Sequence, residues 1–202
     1  MKRLPDDMSL DLGALLEPLS VAIQASKRAQ LAPGSTVLVF GAGAVGLLVA
    51  AMAKISGAGT VVIADIDAGR VQFAVENKFA HRSFTVPMKR GSTIEEQLDI
   101  AKEVAAEVGK LSKESGGEVG EVDAVFECTG VPSCVQASIY VSCANTAELT
   151  KFLTNPGNTT RWQGSANWYG YTHPNTSHLR SCPSRGRHPR CIQICEHVPN
   201  WY

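Results

Sequence analysis

The 202-residue chain lacks several features that mark large classes of protein. It carries no excess charge: 19 Lys and Arg against 19 Asp and Glu give a formal net charge of zero. That balance removes the electrostatic case for nucleic acid or an anionic membrane as partner. Long hydrophobic runs are also missing. The longest, within 36–54, is interrupted by glycines and falls short of a bilayer span. No apolar stretch follows the basic pair Lys2-Arg3, so no secretory leader is expected. No C-x-x-C pair occurs, which argues against a zinc ribbon or finger. Together these absences predict a soluble cytoplasmic protein.

Apolar residues make up 44% of the chain, enough for one globular domain with a core. They are unevenly spread. Residues 1–140 hold 13 basic and 17 acidic side chains, a net of −4, whereas 141–202 hold 6 and 2, a net of +4. Only eight of the last 62 residues are Val, Ile, Leu, Met or Phe, too few to build a core. Trp162, Trp168 and Trp201, the whole tryptophan complement, also lie there.

Residues 1–140 alternate between strand and helix patterns. Residues 9–30 have helical character, with the main helix expected to begin near Pro18 because proline suits a first turn. The β-branched and aromatic run 36–40 reads as a strand buried on both faces. A helix over 47–56, a strand over 60–64 and a helix over 68–77 follow, then a weaker strand over 83–86. An amphipathic helix is expected over 93–113, a fourth strand over 122–126 and a short helix over 132–139. Such alternation implies parallel strands with right-handed crossovers. The predicted fold is α/β: a partial doubly wound Rossmann sheet of strand order 3-2-1-4, lacking strands five and six, with a disordered C-terminal tail.

Gly41-Ala42-Gly43-Ala44-Val45-Gly46 lies between the first strand and the next helix. In that setting each residue of a G-x-G-x-x-G turn has a task. Gly41 permits the tight turn, Gly43 lets the backbone approach a pyrophosphate, and Gly46 allows close helix–strand packing. The amides at Ala44 and Val45 would face the phosphates, aided by the helix dipole. Asp65 closes the second strand 19 residues after Gly46, where a carboxylate accepts from both adenosine ribose hydroxyls. A 2′-phosphate would bring like charges together, so NAD is expected over NADP. Arg70 could cover the adenine or ribose, or be a solvated helix arginine. Cys128 and Thr129, in the segment Glu127-Cys128-Thr129-Gly130, close strand four at the cofactor edge. An ordinary buried thiol is the competing reading of Cys128.

Leu4-Pro5-Asp6, the run from Gly13 to Val21 around Glu17-Pro18, the glycine turn, Ala64-Asp65 and Glu127-Cys128-Thr129-Gly130 carry a resemblance. Across about two-thirds of the chain it resembles the zinc-dependent medium-chain polyol dehydrogenases, the sorbitol and xylitol dehydrogenases. The resemblance implies NAD as cofactor, a polyol substrate, a homo-oligomer in the full-length family, and a zinc site to which Glu17 belongs. Without it, Glu17 reads as a first-turn helix acid stabilised by the dipole. The family's catalytic domain, with its Cys, His and acidic zinc ligands, precedes the coenzyme domain. Met1 stands 16 residues before Glu17, so those ligands and retained zinc are not expected here.

After Tyr140 the family pattern stops. Val141-Ser142 can be encoded as GTNAGY, a splice-donor sequence; Leu153-Thr154 fits a branch site and Pro156-Gly157 an acceptor. Read one nucleotide out of register, the codons beyond Gly157 permit a Gly-Gly turn, an apolar strand and a late G-V-F-R-Y segment, as the family continues. Residues 141–202 are therefore expected to be an unstructured tail from a retained intron and a shifted frame. On that reading Cys182, Cys191, Cys195, His188 and His197 are no metal site. Arg180, Arg185, Arg187 and Arg190 are likewise no nucleic-acid arm.

The resulting expectation has three segments: a linking helix over 1–30, an incomplete NAD-binding domain over 31–140, and the tail. Function follows as the coenzyme-domain fragment of a NAD-dependent polyol dehydrogenase, which oxidises a secondary alcohol to a ketose. By itself the chain is expected to be inactive and not to assemble as the family does. Its open strand-four edge should favour aggregation, and NAD should bind weakly, at roughly millimolar concentration. The alternatives are a non-enzymatic NAD-sensing or partner-binding module and an S-adenosylmethionine methyltransferase.

Overall fold

A computed structural model describes residues 4–89, 91–142 and 191–194. Its elements follow in the order α1 (Leu10–Ala29), β1 (Thr36–Phe40), α2 (Ala44–Ile55), β2 (Thr60–Asp65), α3 (Ala68–Glu76) and β3 (Arg82–Thr85). Then come α4 (Ile94–Gly109), β4 (Ala124–Glu127), α5 (Pro132–Ser142) and β5 (Cys191–Ile194).

The strands form one parallel sheet of order β3-β2-β1-β4-β5, which contains the expected 3-2-1-4 arrangement. Every residue of β1 and β2 is buried, as continuous β-branched runs require when helices cover both faces. The period of two then sorts side chains between two cores. Val37, Val39, Val61, Ile63, Ala124 and Phe126 join apolar residues of α1, α2 and α3 on one face. Leu38, Phe40, Val62, Ala64 and Val125 meet α4 and α5 on the other.

Local chemistry sets several boundaries away from those the sequence pattern suggests. Helix α1 runs unbroken through Pro18 instead of beginning there. Ser9 caps it by accepting from the Leu12 amide at 3.2 Å, and Ala22, Ala25 and Ser26 bury its later half. That anchoring offsets the hydrogen bond an interior proline removes. The earlier half leaves Leu10, Leu12, Leu15 and Leu16 exposed. Helix α4 begins with a full capping box from Thr93 and Glu96 but stops at Gly109, short of the expected 113. Gly109 accepts from the Gly120 amide at 2.7 Å, and a bridge pairs Ser112 with Glu118. Strand β4 starts at Ala124 because Asp123 is engaged beside it: its amide donates to Thr36 and its carboxylate accepts from the Thr36 amide, both at 2.8 Å. Helix α5 continues to Ser142, with Val141 buried, past the point where the family pattern ends.

The edge of strand four, expected to be open, is covered: Cys191–Ile194 pairs with β4 in parallel, Ala124 opposite Cys191 and Glu127 opposite Ile194. Strand pairing is made by backbone groups, so an unpaired edge accepts an extended segment with little regard to its sequence. The rest of the expected tail, with its other Cys, His and Arg residues, lies outside the described residues.

At the amino edge of the sheet, His81 Nδ1 accepts from the Val61 amide at 2.8 Å. Burial, reinforced by the Lys54 cation and opposed by Glu114, holds its pKa below the ordinary histidine value; Arg82 adds a smaller lowering. No helix among the described residues is long and apolar enough to cross a membrane.

Candidate dinucleotide-binding site

Three strands end together at the carboxyl edge. In the register, Phe40 lies opposite Ala64 of β2 and Glu127 of β4, so the glycine turn leaves the sheet between two strand-end carboxylates, Asp65 and Glu127. With β1 connecting to one side and β4 lying on the other, this is the topological switch point, where open α/β sheets bind ligands.

The three glycines differ in what surrounds them. Gly41 has φ +97°, and its amide donates to the Ala64 carbonyl at 2.7 Å. A Cβ there would also meet the Thr129 methyl at 3.1 Å and the Cys128 carbonyl oxygen at 3.2 Å. At Gly46 a Cβ would lie 1.8 Å from the Gly41 carbonyl oxygen, so only glycine lets α2 pack this closely on the turn. Gly43 has nothing within 4 Å of the corresponding position. It is the N-cap of α2 and makes no side-chain hydrogen bond there, whereas Ser9, Asp67 and Thr93 cap α1, α3 and α4. The first turn of α2, at Ala44 and Val45, therefore receives no side-chain cap from Gly43, as an anion site requires.

Asp65 is buried at the end of β2. One carboxylate oxygen accepts from the Ala42 amide at 2.7 Å and the other from the Asp67 amide at 3.0 Å. A carboxylate offers about four acceptor positions, so capacity is left for ribose hydroxyls. The open cradle at Gly43, the uncapped helix and this carboxylate fit a dinucleotide. Arg70 lies in the first turn of α3, exposed, with Nε 3.8 Å from Asp67. Asp67 also caps α3 through the amides of Gly69 and Arg70, at 2.8 and 3.1 Å.

On the β4 side Cys128 is half-buried and packs against the first core. Thr129 is exposed, but its hydroxyl donates to Glu127 and accepts from the Val131 amide at 3.1 Å, so its methyl is what walls Gly41. Glu127, which the sequence pattern placed in the motif without a role, is only 1% exposed. It also accepts from the amides of Thr129 and Gly130, at 2.8 and 2.9 Å. Its signal was readable in principle: a strand-end acid followed by a hydroxyl residue and a glycine. Nearby, burial raises the Cys134 thiol pKa, an effect that the neighbouring Thr129 side chain opposes and the Glu127 charge reinforces.

The zinc reading does not find support here. Glu17 is exposed on α1, and no three His, Cys, Asp or Glu side chains among the described residues gather as a metal site. A catalytic zinc takes about three protein ligands. The described residues do not supply that set.

The sheet order and the strand–glycine turn–helix unit define a Rossmann-type α/β domain. Comparison with known proteins agrees and narrows the class. Over 140 residues the chain is 41% identical to sorbitol dehydrogenase of Gallus gallus, covering 69% of this chain and 35% of that protein. It is 41% identical over 137 residues to D-xylulose reductase of Scheffersomyces stipitis, covering 68% and 32%. Among solved structures, a protein of Clostridium scindens described as a zinc-binding dehydrogenase superposes with a TM-score of 0.50 at 27% identity, covering 69% of this chain and 34% of that one. An alcohol dehydrogenase of Thermus sp. ATN1, TM-score 0.51 and 21% identity, covers 70% and 35% and shares the fold. No family model matches. The chain belongs, through its matched two-thirds, to the zinc-dependent medium-chain alcohol and polyol dehydrogenase family. It spans about a third of the length of the curated relatives it matches.

Proposed function

We propose that this domain binds NAD as the coenzyme-binding part of a polyol dehydrogenase that oxidises a secondary alcohol, of the sorbitol or xylitol class, to a ketose. The observation that carries this is Asp65 closing β2 beside a glycine turn whose helix start lacks a side-chain cap. The Ala44 and Val45 amides would receive the pyrophosphate, Gly43 would leave room for it, and Asp65 would accept from the adenosine ribose hydroxyls while repelling a 2′-phosphate. Bound NAD would supply the hydride acceptor. Arg70 would lie over the adenosine end, and Cys128 and Thr129 would border the other half.

Titration calorimetry of the 202-residue polypeptide tests the reading. NAD should bind measurably and NADP at least about ten-fold more weakly, a difference near 1.4 kcal/mol. Equal or tighter NADP binding would contradict the role of Asp65. S-adenosylmethionine binding without NAD binding would establish the methyltransferase alternative instead. Polyol oxidation would need zinc ligands that neither the described residues nor the irregular Cys and His spacing of 143–202 provides. The polypeptide alone should therefore release no NADH from xylitol or sorbitol, with or without added zinc, and NADH formation would refute this. The tail is read as intron read-through followed by a shifted frame, which transcript sequencing across codons 141–157 tests directly.

A further inference from the structure

Glu127 is the most deeply buried acid among the described residues, and coenzyme chemistry gives it no direct task. All of its described hydrogen bonds are accepted from three groups on two nearby residues: the Thr129 amide, the Thr129 hydroxyl and the Gly130 amide. These bonds fold 127–130 back over the strand end. The Cys128 amide is meanwhile held by the Phe40 carbonyl at 2.9 Å, and Gly130 takes φ +69°. The folded segment presents the Thr129 methyl and Cys128 carbonyl to Gly41, closing the β4 side of the turn.

We propose that Glu127 is a positioning residue for coenzyme binding, shaping the wall that receives the half of the dinucleotide beyond the pyrophosphate. This rests on the dinucleotide reading above. The argument is one of hydrogen-bond polarity. Three donors converge on one carboxylate, a group that only accepts. A glutamine of the same size brings an NH2 group that cannot accept, so at least one converging N–H loses its partner and the loop must open. Asp65 and the adenosine side lie across β1, on β2, and do not touch Glu127. The effect should therefore divide the ligand in two.

The experiment compares AMP and NAD binding by calorimetry in the parent chain, Glu127→Gln and Thr129→Val. The valine variant keeps a methyl toward Gly41 but removes the hydroxyl donor. Glu127→Gln should weaken NAD about ten-fold, the loss expected for one unmade buried hydrogen bond, while AMP stays within about two-fold. Thr129→Val should move in the same direction by about three-fold. A purely structural role would lower both affinities together. Equal losses for AMP and NAD, or no change in NAD, would overturn the proposal. If Glu127→Gln does not fold, the same NAD-to-AMP ratio is read from Thr129→Val. Failure of the parent chain to bind either nucleotide would instead strike the dinucleotide reading itself, and the proposal with it.

Discussion

Two of the turn glycines make opposite predictions when a single methyl is added. At Gly46 a Cβ would stand 1.8 Å from the Gly41 carbonyl oxygen and 2.9 Å from its carbon. Carbon and oxygen do not approach below about 3 Å, so α2 and the turn must separate by roughly 1.2 Å. The obstructing atom is backbone, itself fixed by the Gly41 amide's bond to Ala64, and cannot rotate aside. Overpacking of this kind costs about 3 kcal/mol, and the better helix propensity of alanine returns about 1, leaving a net loss near 2 kcal/mol. The same displacement carries the Ala44 and Val45 amides away from the phosphate position, so NAD affinity should fall with stability. At Gly43 a Cβ meets no protein atom within 4 Å, and φ of −79° suits alanine. There the reduced entropy of the unfolded chain, about 0.4–1 kcal/mol, offsets poorer capping. Gly43→Ala should keep its stability yet lose NAD binding, because the methyl fills the space a pyrophosphate needs. Urea unfolding and NAD titration on both variants separate the two effects. A Gly46→Ala protein within about 0.5 kcal/mol of the parent, or a Gly43→Ala protein that binds NAD normally, would refute the assignment of the turn.

Asp65→Ser should narrow the preference for NAD over NADP in paired titrations. It should also lower stability by about 1–3 kcal/mol, since one hydroxyl cannot hold both the Ala42 and Asp67 amides; unchanged selectivity would remove Asp65 from the ribose site. His81 gives a pH dependence of defined sign. Its folded pKa is lowered, so the unfolded chain binds the proton more readily. Its contribution is complete above the unfolded value of about 6.5 and is lost as pH falls through the folded pKa. Denaturant midpoints for the parent should drop below that pH more steeply than for His81→Gln; parallel curves would contradict burial of the imidazole as the cause.

The strands and the glycine turn were legible because burial on both faces leaves a plain signature. Five consecutive apolar or β-branched residues at 36–40 followed by G-x-G-x-x-G admit few other readings. Pro18 misled because proline's local preference for a first turn competes with a Ser9 cap and a buried later half, and tertiary burial won. The end of α4 was hidden for a related reason: apolar periodicity persists past Gly109, but a bond between Gly109 and Gly120 turns the chain. The fifth strand had almost no signal, since Cys-Ile-Gln-Ile is short and its pairing is made by main-chain groups. The place of Asp65 at the end of β2 was legible from the strand pattern. Its hold on the Ala42 amide was not, because that bond joins residues 23 apart that only the sheet brings together.

The surface offered to a dinucleotide is mostly main chain, and that explains how the site divides its labour. The amides of α2 need no side chain to bind phosphate; they need a helix start that nothing in the protein occupies. Gly43 keeps that space clear, Gly46 brings the helix close, and Gly41 turns the chain with a positive φ. The two strand-end carboxylates then act on backbone. Asp65 fixes Ala42 on one flank, and Glu127 fixes Thr129 and Gly130 on the other. Among the described residues neither flank gathers a group of metal ligands, so on the proposed reading this segment would contribute coenzyme affinity and selectivity, and other residues would furnish the chemistry on the polyol. A site built this way is set by topology and by the absence of side chains at three positions. The 41% identity to a sorbitol dehydrogenase covers 35% of that protein, so it bears on this fold and its glycine turn, and the proposed choice of polyol would rest with residues outside the match.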